Sequence, residues 1–78
     1  VNVDYTEAVK WLRLAAEQGN DGTQNDLANL LYYGKGVEQN YVEAAKWYKA
    51  AAEKGGDDAQ FSLGVMYFHG FGVEKNYR

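Results

Sequence analysis

The 78-residue chain contains no cysteine, so it can form neither a disulfide framework nor a metal site built on thiolates. It also contains no proline, which leaves long helices uninterrupted. No apolar run approaches the roughly 20 residues that a membrane-spanning helix needs, and no signal peptide is visible. Because the first residue is Val1 rather than Met, we expect the sequence to be a piece of a longer protein.

Positive charge is also scarce. Eight Lys and Arg residues stand against eleven Asp and Glu residues, which gives a net charge of −3 and a pI near 4.9. A negatively charged protein is repelled by a phosphate backbone and by an anionic membrane surface. We therefore expect neither nucleic acid nor an anionic membrane to be the main partner.

What the chain does contain is an internal repeat with a period of 36 residues. A shift of 36 places Tyr5 on Tyr41 and Trp11 on Trp47, and about 19 of the 42 overlapping positions are identical without a gap. We divide the single domain, 1–78, into the second half of one repeat (1–19), one complete repeat (20–55) and the first half of the next (56–78).

Capping residues and apolar spacing predict four helices: Asp4–Glu17, Asp21–Tyr33, Asn40–Lys54 and Asp57–His69. The first residue of each is predicted to be its N-cap, with Glu7, Gln24, Glu43 and Gln60 as capping-box partners. The short linkers between these helices favour antiparallel neighbours, so we expect an all-α stack of helical hairpins. A fifth helix is predicted to begin at Asn76.

Each predicted helix carries an apolar stripe that should face the core. The stripes are Ala8, Trp11, Leu12 and Ala15; Thr23, Leu27, Leu30 and Leu31; Ala44, Trp47, Tyr48 and Ala51; and Ala59, Leu63, Met66 and Tyr67. Both tryptophans are therefore predicted to be structural. Gly55, between two helices, is predicted to take a positive φ, and Val37 to pack under the turn that precedes it.

Candidates for catalysis are few: Thr6, Thr23, Ser62 and His69. Ser62 and His69 share a predicted helix and lie seven residues apart, which is roughly 10 Å along the axis and beyond proton-transfer distance. Asp57 and Asp58 are interpreted as a helix cap and a first-turn acid rather than as an acid–base pair or a metal site. We therefore expect no enzyme, no cofactor and no metal.

Spaced glycines and a Trp-Tyr helix carry a resemblance to a known family. Residues 57–67, followed by Gly70 and Gly72, resemble the first half of a Sel1-like repeat, and residues 40–55 resemble its second half. These repeats are relatives of the tetratricopeptide repeat, and the resemblance implies a right-handed superhelix of helix pairs. Thr23 and Ala28 depart from the pattern, and the methyl group of Ala28 is expected to push its neighbouring helix slightly outward.

The resemblance further implies that the second helix of each pair lines a concave groove. The candidate partner-binding residues are those opposite the apolar stripes: Asn25, Asn29, Tyr32, Tyr33, Phe61, Val65, Phe68 and His69. Exposed rings with amide donors and acceptors are suited to an extended peptide.

Two functions follow from this reading. The leading hypothesis is a scaffold that binds a peptide or a partner domain in the groove. The alternative is a structural spacer or self-assembly module without a groove ligand, because some of these rings could instead pack against the next repeat. In either case the uncovered ends of a stack this short are expected to associate end-to-end.

Overall fold

The computed structural model describes residues 4–72, which form four α-helices and no strand within that range. The helices are α1 (Tyr5–Glu17), α2 (Asp21–Tyr33), α3 (Tyr41–Glu53) and α4 (Asp57–His69). Each helix packs against the next one in the chain, and the short connections make successive helices antiparallel. The predicted all-α stack of helix pairs is confirmed. The fifth helix predicted at Asn76 lies outside the described residues.

Two of the four predicted N-caps are confirmed. The Asp4 carboxylate accepts a hydrogen bond from the Glu7 backbone N–H at 3.0 Å, and the Asn40 side chain accepts one from the Glu43 N–H at the same distance. Each acceptor satisfies one of the four N–H groups that have no partner inside the first turn of a helix. The starts of α1 and α3 are therefore fixed by short-range chemistry.

The other two predicted caps are wrong by one residue. The start of α2 is capped by Asn20, whose side chain accepts from the Thr23 N–H at 2.9 Å, and Asp21 is the first helical residue. At α4 the cap position is Gly56, which has no side chain to offer, and Asp57 is again the first helical residue. A carboxylate in the first turn is stabilised by the positive end of the helix dipole, so both aspartates suit this position without capping.

The two glutamines predicted as capping-box partners for α2 and α4 have a different role. Gln24 Nε2 donates to the Ala16 carbonyl at 3.0 Å, and Gln60 Nε2 donates to the Ala52 carbonyl at 3.3 Å. The last carbonyls of a helix have no partner within it. Each glutamine therefore supplies a donor from the following helix and ties the two together.

Small residues and a few large ones fill the interior: Val9, Ala16, Leu27, Ala28, Leu31, Ala44, Ala45, Tyr48, Ala51, Ala59 and Met66 are buried. All members of the predicted stripes of α2, α3 and α4 are buried or partly buried, and Val37 packs against the same core. The prediction for Trp11 is wrong, because its side chain is 61% exposed. Val9 and Ala16 are the buried residues of α1.

Trp11 and Trp47 occupy equivalent repeat positions but have different surroundings. Trp47 is partly buried, and its Nε1 donates to Glu43 Oε2 at 3.3 Å. The same carboxylate oxygen accepts from Arg13 Nη1 of α1 at 2.5 Å, so an ion pair joins the outer helices α1 and α3. This hydrogen bond from Arg13 is the main cause that lowers the pKa of Glu43.

Two loop glycines allow the backbone to touch the start of a helix. A Cβ atom added to Gly72 would lie 2.5 Å from the Tyr41 carbonyl carbon, and one added to Gly36 would lie 2.6 Å from the Thr6 nitrogen. Both glycines have a positive φ, of 71° and 75°. A side chain at either position would therefore collide with backbone.

Replacing a glycine of positive φ can destabilise the fold through backbone strain and through steric collision, and two variants separate these effects. Gly55 also has a positive φ, of 90°, as predicted, but no atom lies within 4 Å of an added Cβ. We expect Gly55→Ala to lower the free energy of unfolding by about 1 kcal/mol, through backbone strain alone. Gly36→Ala should cost about 3 kcal/mol or more, because the backbone of α1 must also move. Equal losses in urea denaturation would contradict the close approach at Gly36.

The ion pair between Arg13 and Glu43 predicts a pH dependence of stability. The folded-state pKa of Glu43 is lowered, so its stabilisation is present above the unfolded pKa of about 4.3 and is lost as pH falls through the folded value. We expect Glu43→Gln to be less stable than the parent at pH 7 by at most about 1 kcal/mol, since both groups are partly exposed.

The difference in stability between Glu43→Gln and the parent, measured by thermal melts, should shrink as pH falls from about 5 to about 3. Glu53→Gln, an exposed change on the same helix, is the matched control. A difference between Glu43→Gln and the parent that stays constant over this pH range would show that the ion pair does not couple folding to protonation.

Candidate functional site

A groove lies between α2 and α4, and α3 forms its floor; we call it the α2–α4 groove. It contains two clefts in succession along these helices. The aromatic cleft, of about 130 Å³, is lined by Asn29, Tyr32, Tyr33, Tyr48, Phe61, Ser62 and Val65. The acidic cleft, of about 310 Å³, lies at the N-terminal ends of both helices and is lined by Asp21, Gly22, Asn25, Ala51, Gly56, Asp57, Asp58 and Ala59.

Six of the eight residues predicted to bind a partner line one of these clefts. The aromatic cleft brings together Asn29, Tyr32, Tyr33, Phe61 and Val65, and the acidic cleft contains Asn25. Phe68 and His69 line neither of them. Because the six residues come from two helices that are separated by α3 in the chain, their common groove depends on how the helix pairs stack.

Phe68 and His69 lie instead at the C-terminal end of α4. The imidazole of His69 stacks on Phe71 in the following loop, with ring centroids 5.0 Å apart, and meets the edge of Phe68 at 5.1 Å. Phe71 in turn stacks on Tyr41 at 4.8 Å. These contacts associate His69 with the loop after α4 rather than with the aromatic cleft.

Tyr48 is a functional candidate that the sequence reasoning assigned only to the core. Its ring is buried beneath the groove, and its hydroxyl donates a hydrogen bond to the Asn29 side-chain oxygen. Burial raises the pKa of Tyr48 to about 12, although a hydrogen bond with Ser62 acts in the opposite direction. The phenol is therefore a neutral donor at physiological pH. The signal in the sequence was a tyrosine on a stripe of alanines. The hydroxyl of a buried tyrosine needs a hydrogen-bond partner.

The hydrogen bond from Tyr48 fixes how Asn29 is presented. Its side-chain oxygen accepts from the tyrosine hydroxyl, so the group that it can offer to a ligand is its amide N–H donor. Ser62, which the sequence analysis considered only as a possible nucleophile, lies beside it in the same cleft. The floor of the aromatic cleft thus presents polar groups that can bond a peptide backbone.

The walls of the aromatic cleft are large and exposed rings. Tyr33 of α2 is 65% exposed and Phe61 of α4 is 75% exposed. Tyr32 supports Tyr33 through an edge contact with centroids 4.9 Å apart and is itself packed against Tyr41 at 5.2 Å. Burial and the neighbouring Tyr41 and Tyr33 raise the pKa of Tyr32, so it too stays neutral. The cleft therefore combines apolar walls with a polar floor.

The residues considered for catalysis are not brought together in the aromatic cleft. Ser62 lines the aromatic cleft, but His69, the only histidine of the chain, does not. Across residues 4–72, no group of three or more His, Cys, Asp or Glu side chains is arranged to hold a metal ion. None of the helices in this range is long and apolar enough to cross a membrane.

Comparison with known proteins identifies a repeat family and two solved structures that are similar to this chain. The family model of the Sel1 repeat matches residues 1–20, 23–56 and 57–78. The solved structure of c5321, a protective antigen of uropathogenic Escherichia coli with an SLR fold, is similar at a TM-score of 0.93 and 40% sequence identity. A Sel1 repeat protein from Oxalobacter formigenes is similar at a TM-score of 0.94 and 38% identity. No curated protein gives a significant match.

Both solved proteins are much longer than this chain. The similarity covers 99% of the present sequence in each case, but 17% of the E. coli antigen and 32% of the O. formigenes protein. The chain thus spans less than a third of either of these two proteins.

Proposed function

Because the chain belongs to the Sel1 repeat family, we propose that it binds an extended peptide, or an extended segment of a partner protein, in the α2–α4 groove. Sel1 repeats are generally protein–protein interaction modules, and the proteins that contain them are generally non-enzymatic scaffolds. What is specific to this proposal is that the α2–α4 groove is the binding site.

The observation that carries the proposal is the aromatic cleft. Phe61 and Tyr33 expose large rings from opposite walls of one cleft, although burying such rings elsewhere would stabilise the fold. Aromatic side chains concentrate binding energy because they bury much area and lose little conformational entropy. A volume of about 130 Å³ suits a single side chain of a ligand rather than a whole small molecule.

The floor would fix the backbone of the ligand. The amide nitrogen of Asn29 is held in place by Tyr48 and can donate to a peptide carbonyl, while the Ser62 hydroxyl can donate or accept. Since the fold already orders both groups, little entropy is lost when they bind. Side-chain contacts with the rings would then select among peptides that share the same backbone.

The proposal predicts that the exposed rings matter for binding and not for folding. Peptides selected from a random library against the 78-residue chain would be titrated into Tyr33→Ala and Phe61→Ala. Each variant should lose at least about fivefold in affinity, which corresponds to about 1 kcal/mol, with an unchanged circular dichroism spectrum.

Trp11→Ala is the matched control, because that ring is similarly exposed but lines neither cleft of the α2–α4 groove. It should bind as the parent does. If both groove variants bind normally or lose their helical structure, the rings are not binding residues.

A second candidate function, end-to-end self-assembly without a groove ligand, is supported by a cleft on the outer side of α3 and α4. This end cleft, of about 290 Å³, is lined by Val42, Ala45, Lys46, Lys49, Leu63, Tyr67 and Gly72. The positions 36 residues earlier include Leu27 and Leu31, which are fully buried where α3 packs against α2. The end cleft thus repeats a surface that an α3-type helix covers inside the chain.

Helices α1 and α3 are equivalent in the repeat. Helix α1 of a second copy would therefore cover the end cleft as α3 covers α2 inside the chain. Inside the chain, Arg13 pairs with Glu43, and the equivalents 36 residues away are Lys49 and Glu7 respectively. In a head-to-tail dimer, Lys49 of one copy would therefore meet Glu7 of the other. Trp11, which is exposed in the single chain, would lie at the same junction as Trp47 does inside it.

Head-to-tail association predicts a charge-reversal pattern in sedimentation equilibrium. Lys49→Glu should weaken the dimer about fivefold or more, because it places like charges together. Adding Glu7→Lys to the same chain should restore association, since the pair is then opposite in sign again. A chain that stays monomeric at about 1 mM would rule out the self-assembly function.

A further inference from the structure

Charge is divided unequally between the inner and the outer helices. The groove helices α2 and α4 contain four acids, Asp21, Asp26, Asp57 and Asp58, and neither contains Lys or Arg. The outer helices α1 and α3 carry four acids and four bases, and so are balanced. Within the helices, the net negative charge is therefore carried by the two that line the groove.

The charge is concentrated in the acidic cleft. Asp21, Asp57 and Asp58 all line it, and all three are exposed. The N-termini of α2 and α4 each add roughly half a positive charge, and the Lys54 ammonium, which donates to the Gly19 carbonyl just before α2, adds one more. Together these charges offset about two of the three carboxylates. The potential of the cleft is consequently negative, and it favours a cationic group.

Asn25 gives a second reason to expect a donor in this cleft. Its side-chain oxygen is buried and has no hydrogen-bond partner among the residues that the structure describes. An unsatisfied buried acceptor is costly, and a rotation of the Asn25 amide toward the cleft would let a ligand N–H group satisfy it. A lysine or arginine side chain supplies such donors together with the positive charge that the aspartates favour.

The aromatic cleft continues directly from the acidic cleft along the same two helices. On α4, Asp58 lies four residues from Ser62 and seven from Val65, which corresponds to roughly 6–10 Å of helix. An extended peptide spans that distance with about two or three residues. A single short segment can therefore reach both clefts.

We propose that the α2–α4 groove selects an extended peptide in which a lysine or arginine stands two or three residues from an aromatic or large aliphatic side chain. The apolar side chain enters the aromatic cleft, and the basic one reaches Asn25 and the aspartates. An acidic peptide with the same anchor is rejected by like-charge repulsion. The inference rests on the groove-binding function proposed above and adds the chemistry of the partner.

The test uses three synthetic peptides with blocked ends that share a tryptophan anchor and differ only at the residue three positions away. That residue is Lys, Gln or Glu, and binding to the 78-residue chain is measured by titration calorimetry. We expect affinity to fall in that order, with a difference on the order of tenfold between the Lys and Glu peptides at low salt. The difference should narrow as salt screens the charges.

Variants then locate the source of the preference. The double variant Asp57→Asn and Asp58→Asn should bind the Lys and Glu peptides nearly equally, while the Gln peptide keeps its affinity. The control, Glu17→Gln with Glu53→Gln, changes the net charge equally on the exposed surface of the outer helices. It should keep the full preference, and circular dichroism would verify that both double variants are folded.

The two proposals fail in different ways. Equal affinity for all three peptides, together with weaker binding by Phe61→Ala, would overturn the basic-peptide inference and leave groove binding intact. The same holds if the outer-helix control loses the preference as the Asp57 and Asp58 variant does. If no peptide binds, or if Phe61→Ala has no effect on any of them, groove binding itself is overturned and the inference with it.

Discussion

The close packing of α3 against α2 is the contact on which the rest of the structure depends. It buries Leu27 and Leu31 of α2 and the small residues Ala44 and Ala45 of α3. Because alanine side chains allow two helices to approach closely, the buried ring of Tyr48 on α3 reaches the floor of the groove. The same contact sets α4 beside α2, so it determines that a groove exists and what its floor contains.

The outer helices and the groove helices differ in their charges and in their exposed side chains. The outer helices α1 and α3 are joined by the ion pair of Arg13 and Glu43, and they balance their own charges. The inner helices α2 and α4 carry aspartates at their N-terminal ends and exposed rings further along. A groove that is acidic at one end and aromatic at the other suits a partner with the opposite polarity, a basic group followed by an apolar anchor.

Equivalent positions of the repeat acquire different roles from their surroundings. Trp47 is partly buried and hydrogen-bonded, whereas Trp11, at the equivalent position of the repeat, is exposed. Gln24 is buried and Gln60 is exposed, although both bond the end of the preceding helix. In a stack of repeats each unit is stabilised by its neighbours, so burial depends on which side of a helix another helix covers.

The sequence by itself determined the period, the four helices and the caps Asp4 and Asn40. These depend on short-range rules: apolar spacing, acceptors one turn before a backbone N–H, and glycines with positive φ. The tertiary structure decided that Trp11 is exposed, that Arg13 pairs with Glu43, and that Tyr48 bonds Asn29. Those partners lie 30 and 19 residues apart, and no local pattern encodes a contact that forms only when one helix pair stacks on the next.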